Sequence, residues 1–459
     1  MDSGIHPDAV LVYPPNEDII RKTGIAYTSI PLGIAYLAAF LEASGLTVGV
    51  FDCDVEPLKP GELARKIAEL RPLVVGISVA SPGIRYSREL ISELRGRGVS
   101  SGIGDASYGN IWKIAVGGPH ATADGQSTGL LGADVCFRGE ADQEFTSYCK
   151  ALATGKATPE GVISCDEPTN LDALPYPARH LFNQRRYKYT SVIASRGCPF
   201  DCMFCGSSRT HYRKRNHEGL RGEIESLLAA HPKSIDFSDD VFTLDRQHAW
   251  AVAEMMREAR VPWACTTRAD LIDGELINHL ARCGCNYMSF GLETGSQKIR
   301  YMIGKNISDD HYIAAFRWCR DAGIRTRAYA MVGLPGERGE DIEKTFDFVR
   351  ALNPDDVMYS PTVIYPGTRL MEYAVEKKLI PHDVWTRYML GTTDLPVFVP
   401  GGLTAGKVRS LCFEESKRFY LTPTGILRRM REAQTLEDVL DTILASAAYV
   451  MEPLLKRAP

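Results

Sequence analysis

Short apolar runs alternate with longer amphipathic stretches along the first 150 residues. AVLVY (9–13), LTVGVFD (46–52), LVVGIS (73–78), WKIAVGG (112–118) and ADVCFRG (133–139) read as strands, being short, β-branched and bounded by turn residues. Between them, 30–44 reads as a helix closed by Gly45, with further helices over 61–70 and 86–97. Strand and helix in alternation predict an α/β fold with a doubly wound parallel sheet. Ligands of such sheets sit beyond the carboxyl ends of the strands, where Asp52, Ser78, Gly117 to His120 and Gly139-Glu140 fall. Segment 99–111, rich in Gly and Ser, reads as a long loop.

Residues 151–190 carry several prolines and read as a connector draped over both flanking domains. From Ser191 the rhythm restarts, with strands expected at 191–195, 234–238, 263–268, 287–293, 327–333 and 356–364. Six βα units of this size predict an open (β/α)6 barrel over 191–400, its chemistry at the strand carboxyl ends. A small helical region is expected over 401–459, with Thr435 opening one helix.

The chain has 459 residues, enough for two or three domains. Its 53 basic and 57 acidic residues give a net charge of −4, which offers no electrostatic case for nucleic acid. The basic run 209–215 is short and reads as a solvated or anion-binding loop. No stretch reaches the roughly 18 apolar residues of a membrane span, and the N-terminus lacks the regions of a signal peptide. A soluble, cytoplasmic protein is expected. Its twelve cysteines then read as thiols or metal ligands rather than a disulfide framework.

Three of them stand close together, in Cys198-Pro-Phe-Asp-Cys202-Met-Phe-Cys205, directly after the first barrel strand. Three thiolates on one loop can wrap one face of an iron–sulfur cube. The fourth iron then keeps an open position, as a catalytic metal does. The alternative is a zinc knuckle, which would need a fourth ligand such as His211.

This CxxxCxxC motif, with Phe204 before its last cysteine, resembles the radical S-adenosylmethionine superfamily. The resemblance implies a [4Fe–4S] cluster on Cys198, Cys202 and Cys205, with the methionyl amine and carboxylate of S-adenosylmethionine chelating the unique iron. An electron from the cluster then cleaves the sulfonium and releases a 5′-deoxyadenosyl radical. Further segments are similar to the superfamily: Asp239-Asp240 after strand two, Arg268 after strand three, Gly291-Leu-Glu293-Thr-Gly-Ser296 at strand four, and Gly333 to Glu337 at strand five. Phe204, Gly206, Asp239, Asp240, Arg268, Glu293 and Ser296 are thereby implied around S-adenosylmethionine. A small-molecule substrate and a flavodoxin- or ferredoxin-type electron donor, or a similar reductase, are also implied.

The front of the chain, in PLGIAYLAAFLEASG, VGISVASP, VGGPHAT and RGEADQEF, resembles the cobalamin-binding domain that precedes the radical module in one class of the superfamily. Gly33, Asp52, Ser78, Gly117, Gly118, His120, Gly139 and Glu140 are the cobalamin contacts this implies. Glycines admit close backbone approach to a flat ring, and Ser78 can bond a nucleotide tail. The DxHxxG motif, which supplies a cobalt ligand in other cobalamin proteins, is absent. Asp309-Asp-His311, its nearest match, reads as an exposed helix. Both a working cobalamin site and a fold that has lost the cofactor remain open at this point. The first expectation is cobalamin-dependent C-methylation of a small metabolite or natural product. Its rivals are radical dehydration, cyclisation or rearrangement without cobalamin, and a sensing or carrier module. Cys283-Gly-Cys285 reads as a pair of structural thiols, since two cysteines cannot hold a cube.

Overall fold

In a computed structural model, the described residues are 6–15, 29–100, 112–187, 189–422 and 425. The 101–111 stretch of the expected loop and the expected helix start at Thr435 lie outside them. The described residues form two compact units, the first comprising 6–15, 29–100, 112–187 and 365–396 and the second 189–364, 397–422 and 425.

All five strands expected in the first unit form: β1 (Ala9–Tyr13), β2 (Val48–Asp52), β3 (Val74–Ser78), β4 (Lys113–Gly117) and β5 (Val135–Arg138). A sixth, β6 (Gly161–Ser164), pairs with β5. It went unread because its burial is slight and its flanks are proline-rich. The sheet runs β2-β1-β3-β4-β5-β6, wholly parallel. β1 and β3 are completely apolar and buried apart from their last residues, as expected of strands covered on both faces. The direction of winding reverses between β1 and β3, which makes their carboxyl ends the switch point. Helix Leu32–Ala43 packs beside Asp142–Ala153, and Pro60–Leu70 beside Ile84–Ser100. The first pair shares a core of Leu11, Ile34, Ala35, Phe137 and Phe145.

Two segments differ from the expected partition. The connector belongs to the first unit as far as residue 187, because Ala178 N–H bonds the Ala35 carbonyl and Tyr187 Oη donates to Asp52. Tyr365–Pro396 also joins the first unit rather than the barrel. Its Trp385 and Tyr388 are buried, Tyr388 Oη donates to the Pro82 carbonyl, and the Arg85 guanidinium lies 4.0 Å from the Tyr388 ring centroid.

The second unit holds six parallel strands in sequential order: β7 (Thr190–Val192), β10 (Ile235–Phe237), β11 (Trp263–Thr267), β12 (Cys285–Glu293), β13 (Arg325–Val332) and β14 (Asp356–Pro361). These match the six strands expected. Between the first two, β8 (Ser195–Arg196) and β9 (Arg213–Lys214) form a small antiparallel ribbon. Helix Ala405–Tyr420 packs on β14, its Tyr420 Oη donating to the Val357 carbonyl. Among the described residues no helix is long and apolar enough to cross a membrane.

Candidate functional site

The ribbon of β8 and β9 closes the base of the loop that carries the three cysteines. The loop is then pinned from within. Thr210 Oγ1 accepts from Cys198 N–H at 2.8 Å, and Phe200 carbonyl accepts from Arg209 N–H at 2.9 Å. Gly197 takes φ +93° so close to the His211 carbonyl that a Cβ would lie 2.1 Å from its oxygen. A second loop presses on the first: Met203 N–H bonds the Ile303 carbonyl, and a Cβ on Gly304 would lie 2.0 Å from the Asp201 carbonyl. Glycine is therefore obligatory at both positions. Cys202 is buried, and Cys198 and Cys205 are half-buried.

Burial pushes all three thiols up, Cys205 to about 11. As free groups they would be neutral, so only a bound metal would hold them as thiolates. Positive charge stands ready to share that task. After burial, the strongest influence on Cys202 is the Lys305 ammonium, which pulls it back down, and the Arg268 guanidinium acts in the same sense. Three soft donors on one loop, with two cations behind them, fit a three-point iron–sulfur cube.

The edge around this loop sorts the other expected residues into two groups. Arg268, Glu293 and Asp240 stand close enough to act electrostatically on the cysteines. Arg268 makes a two-pronged bond to Asp270 at 3.0 and 2.9 Å and lies 3.6 Å from the Phe200 ring centroid. Glu293 ends β12 with φ +63°, at a break in register with β13. That left-handed conformation is strained for a glutamate. It is held by Lys305, whose Nζ lies 2.6 Å from Glu293 Oε1 with both side chains buried. Asp240 accepts from Gly197 N–H. Phe204 is half-buried, and Gly206 is exposed with open space around its Cβ position.

Asp239 and Ser296, by contrast, are built into the framework. Asp239 is buried and accepts from Ala194 N–H and Ser195 Oγ, and burial pushes its carboxyl up to about 7. Ser296 Oγ donates to Asp341. Glu337, at the end of strand five, uses Oε2 to accept from Gly333 and Leu334 N–H while its buried Oε1 has no hydrogen-bond partner. Sequence reasoning missed Lys305 and Asp270. A single lysine after a helix carries no signal, and only the fold brings it to Glu293.

At the carboxyl edge of the first sheet there are fewer buried charges, Asp52 at the end of β2 being a buried acid. Ser78 and Gly117 are register partners on β3 and β4. Gly33, in the first turn of its helix, has nothing within 4 Å of a Cβ, and Gly117 only ordinary contacts. A switch-point edge with this backbone exposure and a half-buried serine fits a large flat ring. The remaining expected contacts have duties in the fold. Gly118 has φ +93°, and its Cβ would lie 2.8 Å from Ser78 Oγ. Gly139 has φ +111° and would strike the Cys165 carbonyl at 2.3 Å. Asp52 accepts from Tyr187 Oη and Asp54 N–H. His120 is fully buried between Ser81 Oγ and Ser127 Oγ, at 2.9 and 2.8 Å, against the Trp385 ring. Burial lowers its pKa to about 4. Glu140 is half-buried beside Gly139.

The sequence profile of the radical SAM superfamily matches residues 192–349, and that of the B12 binding domain matches residues 20–148. An uncharacterized methyltransferase of Pyrococcus horikoshii is 28% identical, the match covering 92% of this chain and 94% of that one. The anaerobic magnesium-protoporphyrin IX monomethyl ester cyclase of Rubrivivax gelatinosus is 26% identical over 85% of this chain and 74% of its own. Among solved structures, the radical S-adenosylmethionine methyltransferase TsrM of Kitasatospora setae, with cobalamin and a [4Fe–4S] cluster bound, shares the fold. Its TM-score is 0.71 at 17% identity, covering 96% of this chain and all of that one.

Proposed function

We propose that this chain, which belongs to the radical SAM superfamily and carries a B12 binding domain ahead of the radical module, is a cobalamin-dependent methyltransferase of a small molecule. One observation carries the reading. A single chain joins three pinned, half-buried to buried thiols at one strand edge to a B12-type sheet whose carboxyl edge carries Ser78, Gly117 and Gly118.

The roles of individual residues follow. Cys198, Cys202 and Cys205 would hold a [4Fe–4S] cluster through three of its irons, leaving one iron for S-adenosylmethionine. Bound there, cluster and S-adenosylmethionine supply one-electron chemistry, and cobalamin supplies methyl-group carriage. Lys305 and Arg268 offset the negative charge of the thiolates and hold their surroundings rigid. Glu293, with Oε1 fixed by Lys305, would keep its other oxygen for a polar N–H or O–H group of S-adenosylmethionine. Asp240 fixes the entry to the cysteine loop through Gly197, while Phe204 and Gly206 line the approach. In the first unit, Ser78, Gly117 and Gly33 would hold cobalamin, while Gly118, Gly139, Asp52 and His120 shape the loops around them. A flavodoxin- or ferredoxin-type donor in the cytoplasm, or a similar reductase, would deliver the electron.

The cyclase relative favours a second reading, in which the same radical module closes a ring. Cobalamin analysis of anaerobically purified protein, from cells supplied with the cofactor, tests the first reading. Stoichiometric cobalamin beside a full complement of iron is expected. Protein that keeps its iron, cleaves S-adenosylmethionine and never retains cobalamin would favour the second.

A further inference from the structure

Apart from the cysteine loop, three metal-donor side chains converge from two helices of the second unit. His279 sits near the end of helix Gly274–Arg282 and Cys283 follows it as the C-cap. Their i, i+4 spacing puts both on one helix face. Glu254 reaches them from helix Arg246–Ala259. The donor atoms form a nearly equilateral triangle. Glu254 Oε1 lies 3.5 Å from His279 Nε2, and Cys283 Sγ lies 3.7 Å from Nε2 and 3.8 Å from Oε1.

As hydrogen bonds these contacts are poor. A carboxylate–imidazole bond is typically about 2.9 Å, and the Trp250 carbonyl is also distant from Nε2, at 3.4 Å. As edges of a metal tetrahedron they are nearly right. Zinc–sulfur bonds of about 2.3 Å, with zinc–nitrogen and zinc–oxygen bonds of about 2.0–2.1 Å, imply donor–donor edges of about 3.4–3.6 Å.

Neighbouring groups hold the donors in this arrangement. Arg257 engages the other oxygen of Glu254, Oε2, with Nη2 at 2.5 Å and Nε at 2.7 Å, which turns Oε1 towards the thiol and the imidazole. The His279 ring stacks on Trp250, with centroids 3.6 Å apart and planes 9° from parallel. Such outer partners set ligand orientation in metal sites. Cys283 and His279 are buried while Glu254 is partly exposed, so a fourth position opens towards solvent. One thiolate and one carboxylate would neutralise a divalent ion, and a sulfur, nitrogen and oxygen set selects a borderline-soft metal over magnesium or calcium.

We propose that Glu254, His279 and Cys283 bind a divalent ion of the zinc class, with water as fourth ligand, clipping the two helices together. Cys283 would then be a ligand and not an idle thiol, while Cys285 stays buried in the strand. The proposal is independent of the methyl-transfer reading.

The test uses iron-replete holoenzyme, incubated with zinc chloride and freed of loose metal by gel filtration. The expected result is one additional zinc per chain in the wild type. C283S should lose it, and E254Q should bind zinc at least about tenfold more weakly in competition with a chromophoric chelator. Iron content should be unchanged in both variants. Glu254 is partly exposed, so E254Q decides the matter even where C283S folds poorly. Equal zinc retention in wild type, E254Q and C283S, or no zinc above background in the wild type, would overturn the proposal.

Discussion

Buried charge crowds the carboxyl edge of the second unit's sheet. Lys305 meets Glu293, Arg268 meets Asp270, and Asp239 and Glu337 are buried acids held by backbone N–H groups. The same edge of the first unit's sheet carries Ser78, Gly117 and Gly118, one buried strand acid, Asp52, bonded by Tyr187 Oη, and His120 bonded to two serines. Both are carboxyl edges of parallel sheets, and they differ in chemistry. A cluster with a small charged cofactor is met by thiols and opposite charges, which can be named one by one. A broad ring, in the proposed reading, would be met by backbone where side chains are small. The first kind of site is a list of residues, and the second is a shape.

The largest effect expected is at the charged edge. Changing Cys198, Cys202 and Cys205 together to Ala should abolish both iron binding and 5′-deoxyadenosine production, since the cube loses every protein ligand. Iron assay and chromatography of the products check this, and normal values for both would refute the cluster assignment. Removing the cation behind the thiols comes next. Lys305→Met leaves Glu293 buried without its partner, which should cost about 3–5 kcal/mol of stability. Anaerobic urea titration reads the loss. Adding Glu293→Gln to it should recover much of it, whereas a merely additive double variant would show that the pair is not coupled.

Titration should set the two edges against each other. Burial raises Glu337 to about 7, so the folded state takes up a proton before the unfolded chain does. Its contribution to stability therefore falls as pH rises from about 4.5 to 7. His120 is held down to about 4, so its contribution falls in the other direction, as pH drops from about 6.5 to 4. Each contribution is on the order of 3 kcal/mol. Hydrogen exchange resolved by segment should show Glu337→Gln steadying the second unit at pH 8 more than at pH 5.5, and His120→Gln flattening the acid slope of the first unit. Slopes of the same sign in both units would break the contrast.

Every strand but β6 of the two parallel sheets was legible in the sequence because these strands are short, largely apolar or β-branched runs bounded by turns, and the cysteine loop because its spacing is local. What escaped depended on tertiary placement. Lys305 is an ordinary lysine until Gly304 folds it onto the cysteine loop. Tyr365–Pro396 reads as barrel until Trp385 and Tyr388 are seen buried in the first unit. The glycines singled out in the sequence divide into two kinds. Gly118 and Gly139 are needed by their own turns, whereas Gly33 is free of such constraint.

That distinction yields the subtlest prediction. Gly118→Val should destabilise the first unit with or without cobalamin, through its clash with Ser78 Oγ and its positive φ. Gly33→Leu should leave the thermal stability of cobalamin-free protein unchanged or slightly higher, since it adds bulk to open space in a helix. It should nevertheless lower cobalamin retention. Unaltered retention in the Gly33 variant would move the ring away from this helix start.

The central claim is methyl carriage between the cofactors of one chain, and isotope transfer tests it most directly. Anaerobic holoenzyme carrying cluster and cobalamin is incubated with reductant and S-adenosylmethionine bearing a trideuterated methyl group, and the protein-bound cobalamin is then analysed by mass spectrometry. The account predicts deuterated methyl on the recovered cobalamin, alongside 5′-deoxyadenosine that disappears in the triple cysteine variant. Cobalamin that stays unlabelled, in enzyme that still cleaves S-adenosylmethionine, would contradict it.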